Sequence, residues 1–173
     1  MPMTEREKKI IEHIRKWEGG YGNDPDDTGG CTMMGVTIGT FRQYYGYKKT
    51  CDDLKNITDE QWLHIFHKGF YDKIRADEIL NDSICRLVLD CCWMSGTKTS
   101  IRRIQRCLRI MDDGIVGPVT LNALNTNPKK VFDELVYMRT CWFESIVQNH
   151  PKKKKFLKGW LNRLKDIKYE ENN

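Results

Sequence analysis

The chain has 173 residues, 39% hydrophobic and 31% charged, with a mean hydropathy of −0.64. That length suits about one domain and buries roughly 70% of the unfolded surface without help from metals or disulfides. Aromatic residues recur throughout, which excludes disorder, and no apolar run approaches the ~18 residues of a membrane span.

The first helix is predicted from Thr4, with Glu5 and Glu7 in its first turn and Ile10, Ile14 and Trp17 on one face. Gly19 and Gly20 end it. The stretch 19–39 is dense in Gly, Asp, Asn and Thr, and reads as an irregular loop followed by a small hairpin near 31–38. A short helix is expected over Thr40–Tyr47. Thr58 and Gln61 form a capping box ahead of Trp62, Ile65, Phe66 and Phe70. A buried helix follows over 82–95, then one capped by Thr99 or Ser100 that carries Ile101, Ile104 and Leu108. MDDGIVGP breaks the pattern before a short helix over Thr120–Leu124. Asn127 and Pro128 open a long helix through Val131, Leu135, Met138, Trp142, Phe143 and Ile146. Pro151 interrupts it, and a last helix carries Phe156, Trp160, Leu164 and Ile167. The fold class is therefore mainly α, a helical bundle with a small β-hairpin and loop insertion after the first helix.

The net charge of +5 is unevenly spread. Residues 1–97 carry 13 Lys and Arg against 16 Asp and Glu, whereas residues 98–168 carry 16 against 6. A basic back half suits a polyanion: nucleic acid, an anionic membrane surface or cell wall. Nucleic acid is disfavoured, because no reading motif or stacking platform accompanies the basic residues. Seven cysteines include no CxxC pair, and the four histidines form no ligand ladder, so no metal site is expected. The cysteines read as buried free thiols of a protein made in a reducing compartment. MPMTEREKKIIEHI has no apolar core, so no standard secretory signal is expected, and synthesis in the cytoplasm is.

Glu18 is the residue whose position suggests chemistry. It closes an amphipathic helix, where the dipole disfavours negative charge, and Trp17 and Tyr21 flank it. Both effects favour the protonated acid that general-acid catalysis needs, and Gly19 and Gly20 leave room for a ligand. The adjoining loop offers Asp24, Asp26 and Asp27. Glycoside hydrolysis requires a second carboxyl group of this kind. The same NDPDDTGG run also reads as plain turn chemistry, or as a calcium loop without the EF-hand spacing.

Further matches extend along the chain. They are Lys16-Trp-Glu18-Gly-Gly-Tyr21, Asn23-Asp24-Pro25, and Gly29-Gly30-x-Thr32-x-x-Gly35-Val36-Thr37. Downstream come Leu89-Asp90 with Ser95-Gly96, Gln105-x-x-Leu108, Asp113-Gly114-x-x-Gly117-Pro118-x-Thr120-Leu121, and Phe156-x-x-Gly159-Trp160-Leu161-Asn162-Arg163. In this order they resemble glycoside hydrolase family 108, lysozyme-like N-acetylmuramidases that include phage-type endolysins and secretion activator proteins. The chain departs from the usual pattern at Cys31, which stands where Ala is common, and at Met33 and Met34, which replace a polar pair.

The resemblance implies a lysozyme-like catalytic region over 1–86, a peptidoglycan-binding helical region over 87–168 packed with it as one compact unit, and a tail over 169–173. It implies that Glu18 is the catalytic acid, cutting the β-1,4 glycan bond of peptidoglycan. Analogy with phage-type lysozymes places the second carboxylate at Asp27, with Asp24 and Asp26 left open. The expected substrate contacts are Tyr21, Thr32, Thr37, Asp90, Gln105 and Trp160, although Trp160 also reads as core. No cofactor and no stable membrane insertion are expected. The partners are peptidoglycan glycan strands and, for release into the envelope, a holin-like pore. The alternative is a non-catalytic peptidoglycan-binding protein that assists export.

Overall fold

The computed structural model describes residues 3–23 and 30–171. The described residues are mainly helical, with one two-stranded antiparallel sheet after the first helix, as the sequence led us to expect. The backbone forms two compact units, Met1–Asp72 and Lys73–Asn173.

In the first unit, α1 (Glu5–Trp17) starts with a reciprocal cap: the Thr4 hydroxyl accepts from the Glu7 N–H at 3.2 Å, and the Glu7 carboxylate accepts from the Thr4 N–H at 2.6 Å. Its buried face carries Ile10, Ile11 and Ile14. The hairpin pairs β1 (Thr32–Met33) with β2 (Val36–Thr37). α2 (Ile38–Tyr45) starts two residues ahead of the expected Thr40, because Thr37 caps it by accepting from the Thr40 N–H at 3.1 Å. α3 (Cys51–Lys55) was not anticipated, yet its capping box is complete: the Thr50 N–H donates to the Asp53 carboxylate at 2.8 Å, and the Asp53 N–H donates to the Thr50 hydroxyl at 3.2 Å. α4 (Asp59–Phe66) begins at its predicted cap and runs on as a π turn over His67–Tyr71. Arg15 ties α1 to α4, its guanidinium 4.5 Å above the Trp62 ring and donating to Asp59 at 2.9 Å. Trp62 in turn stacks on Phe66, with ring centres 5.6 Å apart.

The second unit contains α5 (Asp82–Ser95), α6 (Thr97–Cys107), α7 (Pro118–Asn125), α8 (Pro128–Asn149) and α9 (Lys154–Asp166). Only Gly96, at φ +80°, separates α5 from α6, so α6 starts ahead of both predicted caps. Ser100, one of those two, instead donates its hydroxyl to the Cys91 carbonyl at 2.8 Å. α7 and α8 both begin on proline, whose missing N–H costs nothing at a helix start. No helix of the described residues is long and apolar enough to cross a membrane.

Asp90 joins three of these helices. It is fully buried on α5, where one oxygen accepts from Arg139 of α8 at 2.6 Å and the other from Arg163 of α9 at 2.7 Å. Both guanidiniums are nearly buried as well. Asp90 was expected among the substrate contacts. With no exposed surface and both oxygens held by arginine, it instead cross-links the core.

The cysteine reading also needs correction. Cys31 and Cys51 form a disulfide, while Cys85, Cys91, Cys92, Cys107 and Cys141 are free. Spacing gave no sign of the bridge, because the partners lie 20 residues apart on elements that meet only in the fold. The buried free thiols match expectation: burial pushes Cys91 up to about 11 and Cys92 well above its ordinary value, so both stay protonated.

Asp90→Ala strands two buried guanidiniums and is expected to cost about 3–5 kcal/mol of folding stability; a urea midpoint equal to that of the parent chain would refute the cross-link. A thiol reagent added to the denatured, unreduced chain should titrate five of the seven cysteines.

Candidate active site

Glu18 comes directly after the last residue of α1 and breaks out of the helix at φ −86° and ψ 136°, its N–H still donating to the Ile14 carbonyl at 3.1 Å. The turn in backbone direction carries the half-buried side chain off the helix axis. Beside it the surface is open. Among the described residues, nothing lies within 4 Å of where a Cβ would stand on Gly19 or Gly20. Tyr21 comes next, 37% exposed, with the Lys55 ammonium of α3 5.5 Å from its ring centre.

Gly22 is pinned. It exchanges both backbone hydrogen bonds with Thr32, at 2.9 and 2.8 Å. A Cβ on Gly22 would lie 3.2 Å from the Thr32 hydroxyl, so the close pairing favours glycine. Thr32 lies opposite Thr37 in the hairpin, which puts these two expected substrate contacts on the same face. The Thr37 hydroxyl is also engaged in capping α2, 3.1 Å from the Thr40 hydroxyl. Met34 and Gly35 make the hairpin turn with φ of 47° and 78°, the left-handed pair that a two-residue connection needs. The Met34 carbonyl accepts from the Trp62 indole N–H at 3.0 Å, so this turn is tied to α4.

Asp24, Asp26 and Asp27 lie outside the described residues. Among the described residues, no three His, Cys, Asp or Glu side chains gather as metal ligands would. Two contributors escaped the sequence reading. Lys55 reaches Tyr21 because α3 exists, and Cys51 anchors Cys31, the neighbour of Thr32. The Thr50-x-x-Asp53 capping box was the signal available for α3.

Residues 11–96 match the model of glycosyl hydrolase 108, and residues 99–165 match a family described as "Predicted Peptidoglycan domain". The chain belongs to the glycosyl hydrolase 108 family. It is similar to solved structures, among them the structure of Brucella abortus SagA, with 27% identity, a TM-score of 0.80, and coverage of 92% of this chain and 90% of that one. No curated protein matches it. The fold is thus the mainly α, lysozyme-like one, and the function is related to peptidoglycan.

The glycosyl hydrolase 108 match ends at Gly96, where α5 gives way to α6. Beyond it, Gln105 shows what the second match is built on. It is almost fully buried on α6, and was expected to touch substrate. Its amide nitrogen instead donates to Asp113 at 2.8 Å, to the Ile115 carbonyl at 3.0 Å and to Thr120 at 3.1 Å, while its oxygen accepts from the Gly114 N–H at 2.8 Å. Gln105 therefore holds the 113–115 turn from inside, and its polar atoms are already taken. Trp160 is half-buried on α9, its ring centre 5.4 Å from that of Phe143 and 6.0 Å from that of Phe156, which fits the core reading. Gln105→Ala should remove about 1–3 kcal/mol of stability. It should also speed amide exchange at Gly114; unchanged protection there would show that the turn stands without Gln105.

Proposed function

We propose that this chain is an N-acetylmuramidase, which cuts the β-1,4 bond of peptidoglycan glycan strands with Glu18 as the general acid. The observation that carries this reading is the position of Glu18. It is half-buried at the end of a helix, beside two glycines over which no described residue packs, within the segment matched to a glycoside hydrolase family. A sugar ring can lie against such a backbone, and the carboxylic acid can hand its proton to the departing glycosidic oxygen.

The second carboxylate in this scheme comes from the adjoining loop, with Asp27 first and Asp24 and Asp26 as the other candidates. It either activates water or stabilises the positive charge that builds on the sugar ring. A carboxyl separation of roughly 5–5.5 Å would give retention, and one of about 6.5–9.5 Å inversion. Tyr21 and the Thr32–Thr37 face supply polar and aromatic surface for neighbouring sugars. The Cys31–Cys51 disulfide agrees with work in an oxidising envelope, which release through a holin-like pore would allow.

The test uses purified peptidoglycan sacculi. The parent chain should release fragments whose reducing ends, after borohydride treatment, are N-acetylmuramitol. Glu18→Gln should release them about 10²–10⁴-fold more slowly. Asn substitutions at Asp24, Asp26 and Asp27 in turn should single out one further essential carboxylate. Release at an equal rate by Glu18→Gln would remove Glu18 from the chemistry. Binding to sacculi with no fragment release by the parent chain would favour the export accessory instead.

A further inference from the structure

A second feature lies in the unit Lys73–Asn173. A cavity of about 350 Å³ is lined by Lys73, Thr97, Lys98, Asp113, Gly114 and Ile115. The turn forming one wall is held rigidly. Gln105 grips it from below, and Arg102 and Arg106 hold Asp112 from the side, at 2.9 and 2.6 Å. The Lys98 stem lies against Gly114 so closely that a Cβ there would stand 2.9 Å from its Cγ.

The charges in this wall are left for something else. Among the described residues, no carboxylate pairs with the exposed Lys73 or Lys98 ammonium. Asp113 is held ionised: hydrogen bonds from the Ile115 N–H and the Gln105 amide keep its carboxyl below the usual range. Ile115 stands 67% exposed beside these groups, an aliphatic side chain that the fold does not bury. The lining thus offers two cations, one anion and an aliphatic surface, and no aromatic ring on which a sugar could lie.

We infer that this cavity binds the stem peptide of peptidoglycan rather than its glycan. Resting on the peptidoglycan reading of the chain, the match is one of charge. The N-acetylated glycan is essentially neutral, whereas the stem peptide carries free carboxylates, the side-chain amine of its diamino acid, and small alanyl methyl groups. Lys73 and Lys98 take the carboxylates, Asp113 takes the amine, and Ile115 packs against the methyls.

The probe is the free tripeptide L-alanyl-γ-D-glutamyl-diaminopimelate, titrated into the full chain by calorimetry. No glycosidic bond is present, so binding is read independently of Glu18; failure to cut sacculi would sink the catalytic reading alone. Lys73→Ala and Lys98→Ala should each weaken binding about tenfold, with thermal melts unchanged. Acetylating the side-chain amine of the tripeptide should weaken it similarly, and Lys152→Ala, outside the cavity lining, should leave it unaltered. Absence of binding, or affinity equal to the parent's in both Lys73→Ala and Lys98→Ala, would overturn the assignment.

Discussion

The placement of Glu18 depends on the pairing of Gly22 with Thr32. α1 delivers Glu18 and then stops, and Gly19 and Gly20 supply no side chain to anchor the backbone beyond it. Two backbone hydrogen bonds stop the chain again four residues later. The partner strand is itself only two residues long, and an isolated hairpin of that size is marginal in water. It is held from two further sides. The Trp62 indole N–H holds the turn at Met34, and Cys31 is bonded to the start of α3. A disulfide closing a loop of this length stabilises by about 3 kcal/mol. The glycine pair thus stays open to a ligand while the backbone on either side is fixed.

The second unit solves a different problem. It lies in the chain's basic half, where like charges repel, yet two of its arginines are buried. A buried guanidinium is tolerable only with its charge balanced and its donors used. Asp90 meets that need in part, offering one oxygen to Arg139 and the other to Arg163 and sharing its single charge between them, which is why one carboxylate touches α8 and α9 from α5. The pairing fixes the directions of three helices in a way that apolar packing alone does not. The same logic operates on a smaller scale at Gln105, where one amide satisfies the polar groups of a turn outside any helix or strand.

These two residues show where the sequence was legible and where it was not. Helix positions came from periodicity and caps: Thr4, Thr58 and Pro128 each start a helix as read. The errors at Thr40 and Thr120 were shifts of two residues, in which a nearer cap or a proline took over the helix start. Asp90 and Gln105 were placed in the right segments and given the wrong task. A motif reports that a residue is needed, and a polar residue can be needed for its buried partners as much as for a ligand. Those partners lie as far as 73 positions away, beyond any local pattern. The disulfide was hidden for the same reason, since Cys31 and Cys51 meet only once the hairpin and α3 have formed.

The charge asymmetry takes on a narrower meaning in this light. Several cations of residues 98–168 are paired within the protein: Arg139 and Arg163 share Asp90, Arg102 and Arg106 hold Asp112, and Lys129 pairs with Asp133. The outward cations include Lys152–Lys155, all exposed, and Lys98, which shares a cavity with Lys73 of the front half. The first is a run of cations at a helix start, where the dipole opposes them, and a run of this kind attracts any polyanion without choosing among them. The cavity differs in holding a fixed anion and an aliphatic side chain among its cations. Selectivity requires groups that reject as well as attract, and Asp113 repels a ligand that brings carboxylates without an amine. A polar residue buried beneath that cavity, as Gln105 is, serves recognition by keeping its shape.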